Sequence, residues 1–198
     1  MFRLVESIQI KDGQIPLLPY HENRVNCTRK LFSGIDEPLD IGAAIREKGP
    51  FQDGLYKCRV VYNEKIEEII VQSYQIREIK TVRLVEDNEI TYDFKFLERP
   101  ALDILYQRRD ACDEIMIAKK GLITDAYYYN YIFEKAGRWF TPKSPLLKGC
   151  RRAALIDSGE LCTADIHVDR IFDYDRIHLI NAMTEPGKIV ITPHQIKM

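Results

Sequence analysis

The chain has 198 residues, with 29 basic and 30 acidic side chains, 45% hydrophobic and 30% charged residues. That length lies between one and two typical domains, and the balance is that of a globular protein able to bury a core without disulfides. Near-neutral charge excludes a dedicated polyanion-binding surface of the kind a basic excess announces. A mild acidic excess in residues 1–94 gives way to a mild basic excess in residues 95–198, which fits an anion site in the C-terminal half.

The elements follow in chain order. Leu4-Val5-Glu6-Ser7-Ile8-Gln9-Ile10 alternates like a half-buried strand, Lys11-Asp12-Gly13 turns it, and Gln14 to Leu18 reads as its returning partner. Helices are expected from Tyr20 to Phe32 and from Asp40 to Lys48. Tyr56 to Tyr62 and Glu67 to Gln75 form a second hairpin pattern around Asn63-Glu64-Lys65, and Thr81 to Glu86 is a further short strand.

The texture changes after Thr91-Tyr92-Asp93-Phe94. Pro100 suits the first turn of a helix, with Ala101, Ile104, Leu105 and Arg108 on one face. A meander of short strands follows: Glu114 to Ala118, Leu122 to Asp125 and Tyr127 to Phe133. A helix from Cys150 to Asp157, a short helix near Asp169 and a strand from Arg176 to Asn181 close the chain. The composition of elements is α+β in two lobes, with a smaller α/β lobe over 1–90 and a larger one over 91–198.

No stretch approaches the run of roughly 18 apolar residues a spanning helix needs, and Met1-Phe2-Arg3-Leu4 opens no apolar h-region. Cytoplasmic residence is the expectation, and the sequon Asn26-Cys27-Thr28 carries little weight. The five cysteines, at 27, 58, 112, 150 and 162, contain no Cys-x-x-Cys pair, which points to free thiols in a reducing compartment.

Several chemistries lack their signatures. There is no Gly-x-Gly-x-x-Gly, no phosphate loop of the Walker type, no His-Glu-x-x-His and no Gly-x-Ser-x-Gly elbow. The histidines at 21, 167, 178 and 194 show no metal-ligand spacing. Three local features remain. Lys95 sits in the apolar run Phe94-Lys95-Phe96-Leu97, where desolvation lowers an amine's pKa and favours imine chemistry; a lysine snorkelling at a strand edge reads the same way. Gly149 precedes a helix that opens Cys150-Arg151-Arg152, a backbone arrangement that can receive a phosphate or simply an ordinary helix entry. Arg24 lies on a helix surface as the last residue of His21-Glu22-Asn23-Arg24.

Taken in order, these residues resemble the class IV pyridoxal-phosphate aminotransferases, which include branched-chain and D-amino-acid aminotransferases and aminodeoxychorismate lyase. Lys95-Phe96-Leu97-Glu98-Arg99 is similar to the family's Lys-x-Leu-Asn-Arg around its Schiff-base lysine, with Glu98 in place of asparagine. Ala111-Cys112-Asp113-Glu114-Ile115 resembles Gly-Ala-Asp-Glu-Ala. The run Leu122 to Phe133 follows the Val-Thr-Glu...Ser-Asn-Val-Phe pattern with Asp125 for the glutamate. Leu146-Leu147-Lys148-Gly149-Cys150-Arg151-Arg152 resembles Leu-Leu-Pro-Gly-Ile-Thr-Arg, the entry to the phosphate cup. Upstream, Leu4-Val5-Glu6-Ser7-Ile8 looks like Phe-Glu-Thr-Ile and His21-Glu22-Asn23-Arg24 like His-x-x-Arg. Ile177-His178-Leu179-Ile180-Asn181-Ala182-Met183 resembles the strand and loop that complete the cup.

The resemblance implies a two-lobed D-amino-acid-aminotransferase-like fold and pyridoxal 5'-phosphate as cofactor. Lys95 would be the Schiff-base partner and proton shuttle, and Asp125 the partner of the pyridine nitrogen. Arg24, Gly149, Cys150, Arg151, Asn181 and Ala182 would form the phosphate cup, with no metal, nucleic acid or membrane. It also implies a homodimer and a small-molecule substrate. The Asn181-Ala182-Met183 end and the lack of a recognisable clamp for a second carboxylate favour 4-amino-4-deoxychorismate lyase. A class IV aminotransferase of a branched-chain or D-amino acid and a non-catalytic binding protein of the same fold are the alternatives. The chain is short for the family and starts at the first-strand motif, without the usual Asp-Arg-Gly segment. Tyr127, Tyr128, Tyr129 and Tyr131, if all on one strand, would divide between two faces, and a sheet-filling role is favoured for them.

Overall fold

A computed structural model describes residues 2–198. The chain divides into two compact units. The first comprises residues 1–75 and 94–98, and the second residues 76–93 and 99–198. A single cut near residue 90 does not describe this division, because residues 76–93 go with the second unit and 94–98 return to the first.

The first unit contains β1 (Leu4–Lys11), α1 (Leu18–Ser33), α2 (Ile41–Arg46), β2 (Leu55–Tyr62) and β3 (Ile66–Ser73). The strands form an antiparallel sheet in the order β1-β2-β3. Alternation along β1 turns Leu4, Glu6, Ile8 and Ile10 inward, and the three apolar members pack with Val25 of α1 and Ile41 and Ile45 of α2. Helix α1 carries a proline in its first turn and stops at Gly34, whose φ of 68° supplies the left-handed C-cap. The Asp40 carboxylate caps α2 by accepting from the Ala43 amide at 2.7 Å.

The expected return strand from Gln14 to Leu18 is reduced to a single backbone pair between Lys11 and Gln14. Pro16 lacks the amide hydrogen a ladder needs, and the helix has already begun at Leu18. The place beside β1 is taken instead by residues 94–98. The Val5 amide donates to the Lys95 carbonyl at 3.0 Å and the Leu97 amide to the Arg3 carbonyl at 2.9 Å, so the backbone around Lys95 is pinned to the first strand.

The second unit holds β4 (Val82–Glu86), α3 (Pro100–Gln107), β5 (Glu114–Lys119), β6 (Leu122–Ile123), β7 (Asn130–Lys135) and β8 (Arg138–Pro142). It continues through α4 (Cys150–Asp157), β9 (Leu161–Ala164), a 3₁₀ turn at Val168–Asp173, β10 (Arg176–Ile180), β11 (Val190–Ile191) and β12 (Ile196–Lys197). Two sheets result, one in the order β11-β10-β7-β8-β9 and one in the order β12-β4-β5-β6. Their core is shared: Val82, Met116 and Ile196 of the smaller sheet cluster with Tyr131, Phe133, Ile177 and Leu179 of the larger. Strand β5 is buried from Glu114 to Ala118, which accounts for its unbroken Ile115-Met116-Ile117-Ala118 run. Strands β8 and β9 are parallel, so the chain between them must cross over, and α4 is that crossover.

Two sequence expectations fail here for identifiable reasons. Helix α3 buries Leu102 and Leu105, while Ile104 is 62% exposed and Ala101 also faces solvent. Tyr127 to Tyr129 are not part of a strand: the Ala126 amide donates to the Tyr129 carbonyl at 2.8 Å, closing a turn, and β7 begins only at Asn130. Tyrosine favours any half-buried surface, and here that surface is α3 and Arg99 rather than a neighbouring strand. Tyr129 and Tyr131 do enter the core. Among the described residues no helix is long and apolar enough to cross a membrane.

The burial pattern makes a direct stability prediction for the first unit. Ile8→Ala empties a fully buried position and is expected to cost about 2–5 kcal/mol in denaturant unfolding. Ile70→Ala, on the exposed side of edge strand β3, should stay within about 0.5 kcal/mol of the parent.

Candidate functional site

In the first unit the motif residues assemble around one buried carboxylate. Glu6 is fully buried on β1, and Arg24 of α1 reaches it with two guanidinium nitrogens, Nε to Oε1 at 2.8 Å and Nη2 to Oε2 at 2.5 Å. His21, one helical turn earlier, places Nδ1 2.7 Å from Oε2. Burial alone would push the Glu6 carboxyl up, but the Arg24 charge and the bonds from His21 and Arg24 outweigh it and bring it to about 2. An ionised carboxylate only accepts, so Nδ1 of His21 carries the hydrogen. Burial keeps that imidazole neutral by lowering its pKa, and Lys95 is among the cations that reinforce the effect. Lys95 itself is half-buried. Arg24 thus has its guanidinium plane fixed by a bidentate bond that uses two of its five N–H groups.

In the second unit the key group is Asp125, at the end of the β6 segment. It is 5% exposed, and Oδ1 accepts from Asn130 Nδ2 at 2.7 Å while Oδ2 accepts from the Leu147 amide at 2.8 Å. Burial pushes its carboxyl up to about 7 against those bonds and the Arg152 charge. Asn130 also donates to the Leu147 carbonyl at 3.0 Å, tying the loop before α4 to the strand after Asp125. Gly149 is indispensable to that arrangement: a Cβ there would lie 2.1 Å from the Asn130 Oδ1.

The two arginines that open α4 have different tasks. Arg152 is buried and donates to the Thr141 hydroxyl at 3.3 Å and the Pro142 carbonyl at 2.9 Å, holding α4 to β8. Arg151 reaches the turn after β10, donating to the Asn181 carbonyl at 3.4 Å and the Ala182 carbonyl at 3.0 Å. That turn is closed by the Asn181–Thr184 backbone pair, and Asn181 Oδ1 accepts from the Met183 amide at 2.9 Å. Cys150, the first residue of α4, is buried. Asp125, Gly149, Cys150, Arg151, Asn181 and Ala182 are therefore linked in the second unit, and Arg24 and Lys95 belong to the first.

The donor set of the second unit fits a ligand with a phosphate and a protonated ring nitrogen. A buried carboxylate at about 7 has lone pairs left for a cationic N–H, and such a cation would draw its pKa back down. The Thr184 hydroxyl, in the turn that Arg151 clamps, is fully buried with no partner among the described residues, as a site awaiting an acceptor requires.

Sequence reasoning missed three contributors. Asn130 was legible only as part of a pattern, although an Asp and an Asn five apart at a strand entry are a signal for a side-chain tie. Glu6 was read as a strand residue, and its inward position in the alternation was the available clue. Arg99 lies over Tyr127 and Tyr128, with its guanidinium carbon 4.1 and 4.7 Å from the ring centroids, and Tyr106 stacks on Tyr127 at 4.1 Å.

Two measurements check this geometry. Gly149→Ala should cost about 1–3 kcal/mol in chemical unfolding, because Asn130 must give way. The second concerns pH. The folded state holds the Asp125 proton up to about 7, the unfolded chain only to its ordinary 3.8, so this group's contribution to stability falls as pH rises through that window. Asp125→Asn should flatten the decline in unfolding free energy between pH 4 and 7; an unchanged slope would show Asp125 to be ionised throughout.

Comparison with known proteins accords with this architecture. The amino-transferase class IV family matches residues 94–190. An uncharacterized protein of Haemophilus influenzae is 32% identical over 185 residues, 92% of this chain and 98% of that protein. The crystal structure of a candidate 4-amino-4-deoxychorismate lyase from Haemophilus somnus is 33% identical, covers 92% of this chain and 97% of its own, and superposes with a TM-score of 0.83. At 15% identity, a hypothetical aminotransferase from Mycobacterium tuberculosis in its pyridoxal-phosphate-bound form shares the fold, with a TM-score of 0.76 over 95% of this chain and 80% of that one. With two relatives above 30% identity across nearly their whole length and the same α+β fold, the chain belongs to the class IV aminotransferase family.

Proposed function

We propose that the protein is a pyridoxal-phosphate-dependent lyase that converts 4-amino-4-deoxychorismate to 4-aminobenzoate and pyruvate. The observation that carries this reading is the full-length likeness to the Haemophilus somnus protein, together with a buried Asp125 set for a cationic ring nitrogen. When bound, pyridoxal phosphate supplies an electron sink for the carbon next to the substrate's amino group.

The chain's own residues would divide the work. Asp125 keeps a ring nitrogen protonated by ion pairing in a buried site, where the interaction is strongest. In the second unit, the amides around Gly149 and the Asn181–Ala182 turn would bind the phosphate, with Arg151 holding that turn by its carbonyls. Lys95 would hold the cofactor at rest and, once the substrate's amino group has replaced it there, its freed amine would take the proton from the amino-bearing ring carbon and return it to the departing enolate. The C–O bond to the enolpyruvyl group breaks, pyruvate leaves, and the remaining ring becomes aromatic. Atoms balance without an oxidant. The backbone pinned at the Lys95 carbonyl and the Leu97 amide suits an amine that must act on a fixed carbon.

Within this reading the chain acts as a homodimer, as the family resemblance implies, and sedimentation velocity should give about twice the 23.1 kDa chain mass. The activity test is direct. Protein supplied with pyridoxal phosphate should absorb in the near-ultraviolet or visible, lose that band with borohydride, and release 4-aminobenzoate from 4-amino-4-deoxychorismate. Lys95→Ala should abolish turnover, and Asp125→Asn should lower kcat by about 10²-fold or more. Turnover of an amino acid with 2-oxoglutarate and no 4-aminobenzoate would replace the lyase with an aminotransferase. A protein that stays colourless and inactive would leave only a binding role.

A further inference from the structure

The turn between Asp125 and Asn130 is where the second unit's candidate groups meet. Asp125 stands at its entry and Asn130 at its exit, and the Tyr128 carbonyl accepts from Asn181 Nδ2 at 3.2 Å. The position of that turn therefore fixes both the buried carboxylate and the residue that opens the β10 turn.

Tyr127, in the middle of the turn, is held at both of its backbone groups. Its carbonyl accepts from Arg99 Nη1 at 3.3 Å, and its amide donates to Oε1 of Glu114 at 3.3 Å. Glu114 begins β5 and is fully buried. The same Oε1 accepts from the Ile115 amide at 2.9 Å, while Oε2 is buried with no partner among the described residues. An unpartnered buried oxygen is destabilising, and an apolar side chain at this core position would avoid that cost. What an apolar side chain could not do is accept the Tyr127 amide. The groups facing Glu114 are Arg77 before β4, Arg99 before α3, the Tyr127 and Ile115 amides, and Tyr131 of β7. Those facing Asp125 are Asn130 and Tyr131 of β7, the Leu146 and Leu147 amides, and Arg152 of α4.

We propose that Glu114 is a positioning residue. Through the Tyr127 amide it sets the turn that buries Asp125 and orients Asn181. The role assigned to Asp125 and Asn181 toward a cofactor rests on the reading above; the tether itself does not.

Cofactor-free protein labelled with ¹³C at the aspartate carboxyls tests this, with the Asp125 resonance identified by its loss in Asp125→Asn. Its titration midpoint should lie near 7 in the parent. Glu114→Gln keeps an oxygen acceptor for the Tyr127 amide and should leave that midpoint with the parent. Glu114→Ala frees the turn, lets water reach Asp125, and should lower the midpoint by about one unit or more. Amide exchange at Tyr127 and Met183 should accelerate at least about tenfold in the same variant.

A merely structural Glu114 would lower Tm in Glu114→Ala while leaving the Asp125 midpoint in place, and that result would overturn the proposal. So would a Glu114→Gln shift as large as that of Glu114→Ala, since charge rather than the tether would then be responsible. If Glu114→Ala does not fold, Glu114→Asp, whose carboxylate falls one methylene short of the Tyr127 amide, is read against the same two outcomes. Adding pyridoxal phosphate separates the two levels. A parent protein that binds none, with the Asp125 shift still present in the variant, would defeat the cofactor reading and leave the tether standing.

Discussion

The Asn130 amide group is the tie on which the second unit's site depends. One side chain donates to the Asp125 carboxylate and to the Leu147 carbonyl, and its oxygen lies so close to the Gly149 backbone that no side chain fits there. A strand start, a buried acid and a helix entry are locked by one residue. Two of the three partners are backbone groups, so the tie follows the path of the loop rather than its side chains. A buried carboxyl pushed up to about 7 is the electrostatic result, and perturbed acids of this kind gather where chemistry is done.

The first unit shows the opposite way of burying a carboxyl. Glu6 is as deeply buried as Asp125, yet Arg24 and His21 bring it to about 2. The contrast is one of partners rather than depth: Glu6 meets a bidentate guanidinium, while Asp125 receives neutral N–H donors and only the more distant Arg152 charge. One site is complete as an ion pair, and breaking it would strand a charge in the core. The other is short of a cation, which suits a ligand that brings one.

Much of this was readable beforehand. Alternation located β1, the β-rich run from Tyr56 to Tyr62 located β2, and the order of Lys95, Asp125, Gly149 and Asn181 pointed to the family that the comparisons show. The tyrosine run misled because propensity reports a fit to half-buried surface without naming the neighbour; Arg99 and Tyr106 supplied that surface in place of a strand. The face of α3 was misjudged by one position, since a helix of eight residues offers too few turns for the pattern to average out. Arg151 and Arg152 were read as one basic pair, although consecutive helical residues point about 100° apart and here serve different strands. The placement of residues 94–98 beside β1 is a long-range pairing with no local signal.

The assignment of the reacting amine is what the functional reading most needs, and it can be read without substrate. Protein incubated with pyridoxal phosphate, reduced with borohydride, digested and mapped by mass spectrometry should carry a single pyridoxyl phosphate adduct on the peptide containing Lys95. An adduct confined to another lysine, or spread over several exposed ones with Lys95 unmodified, would contradict it.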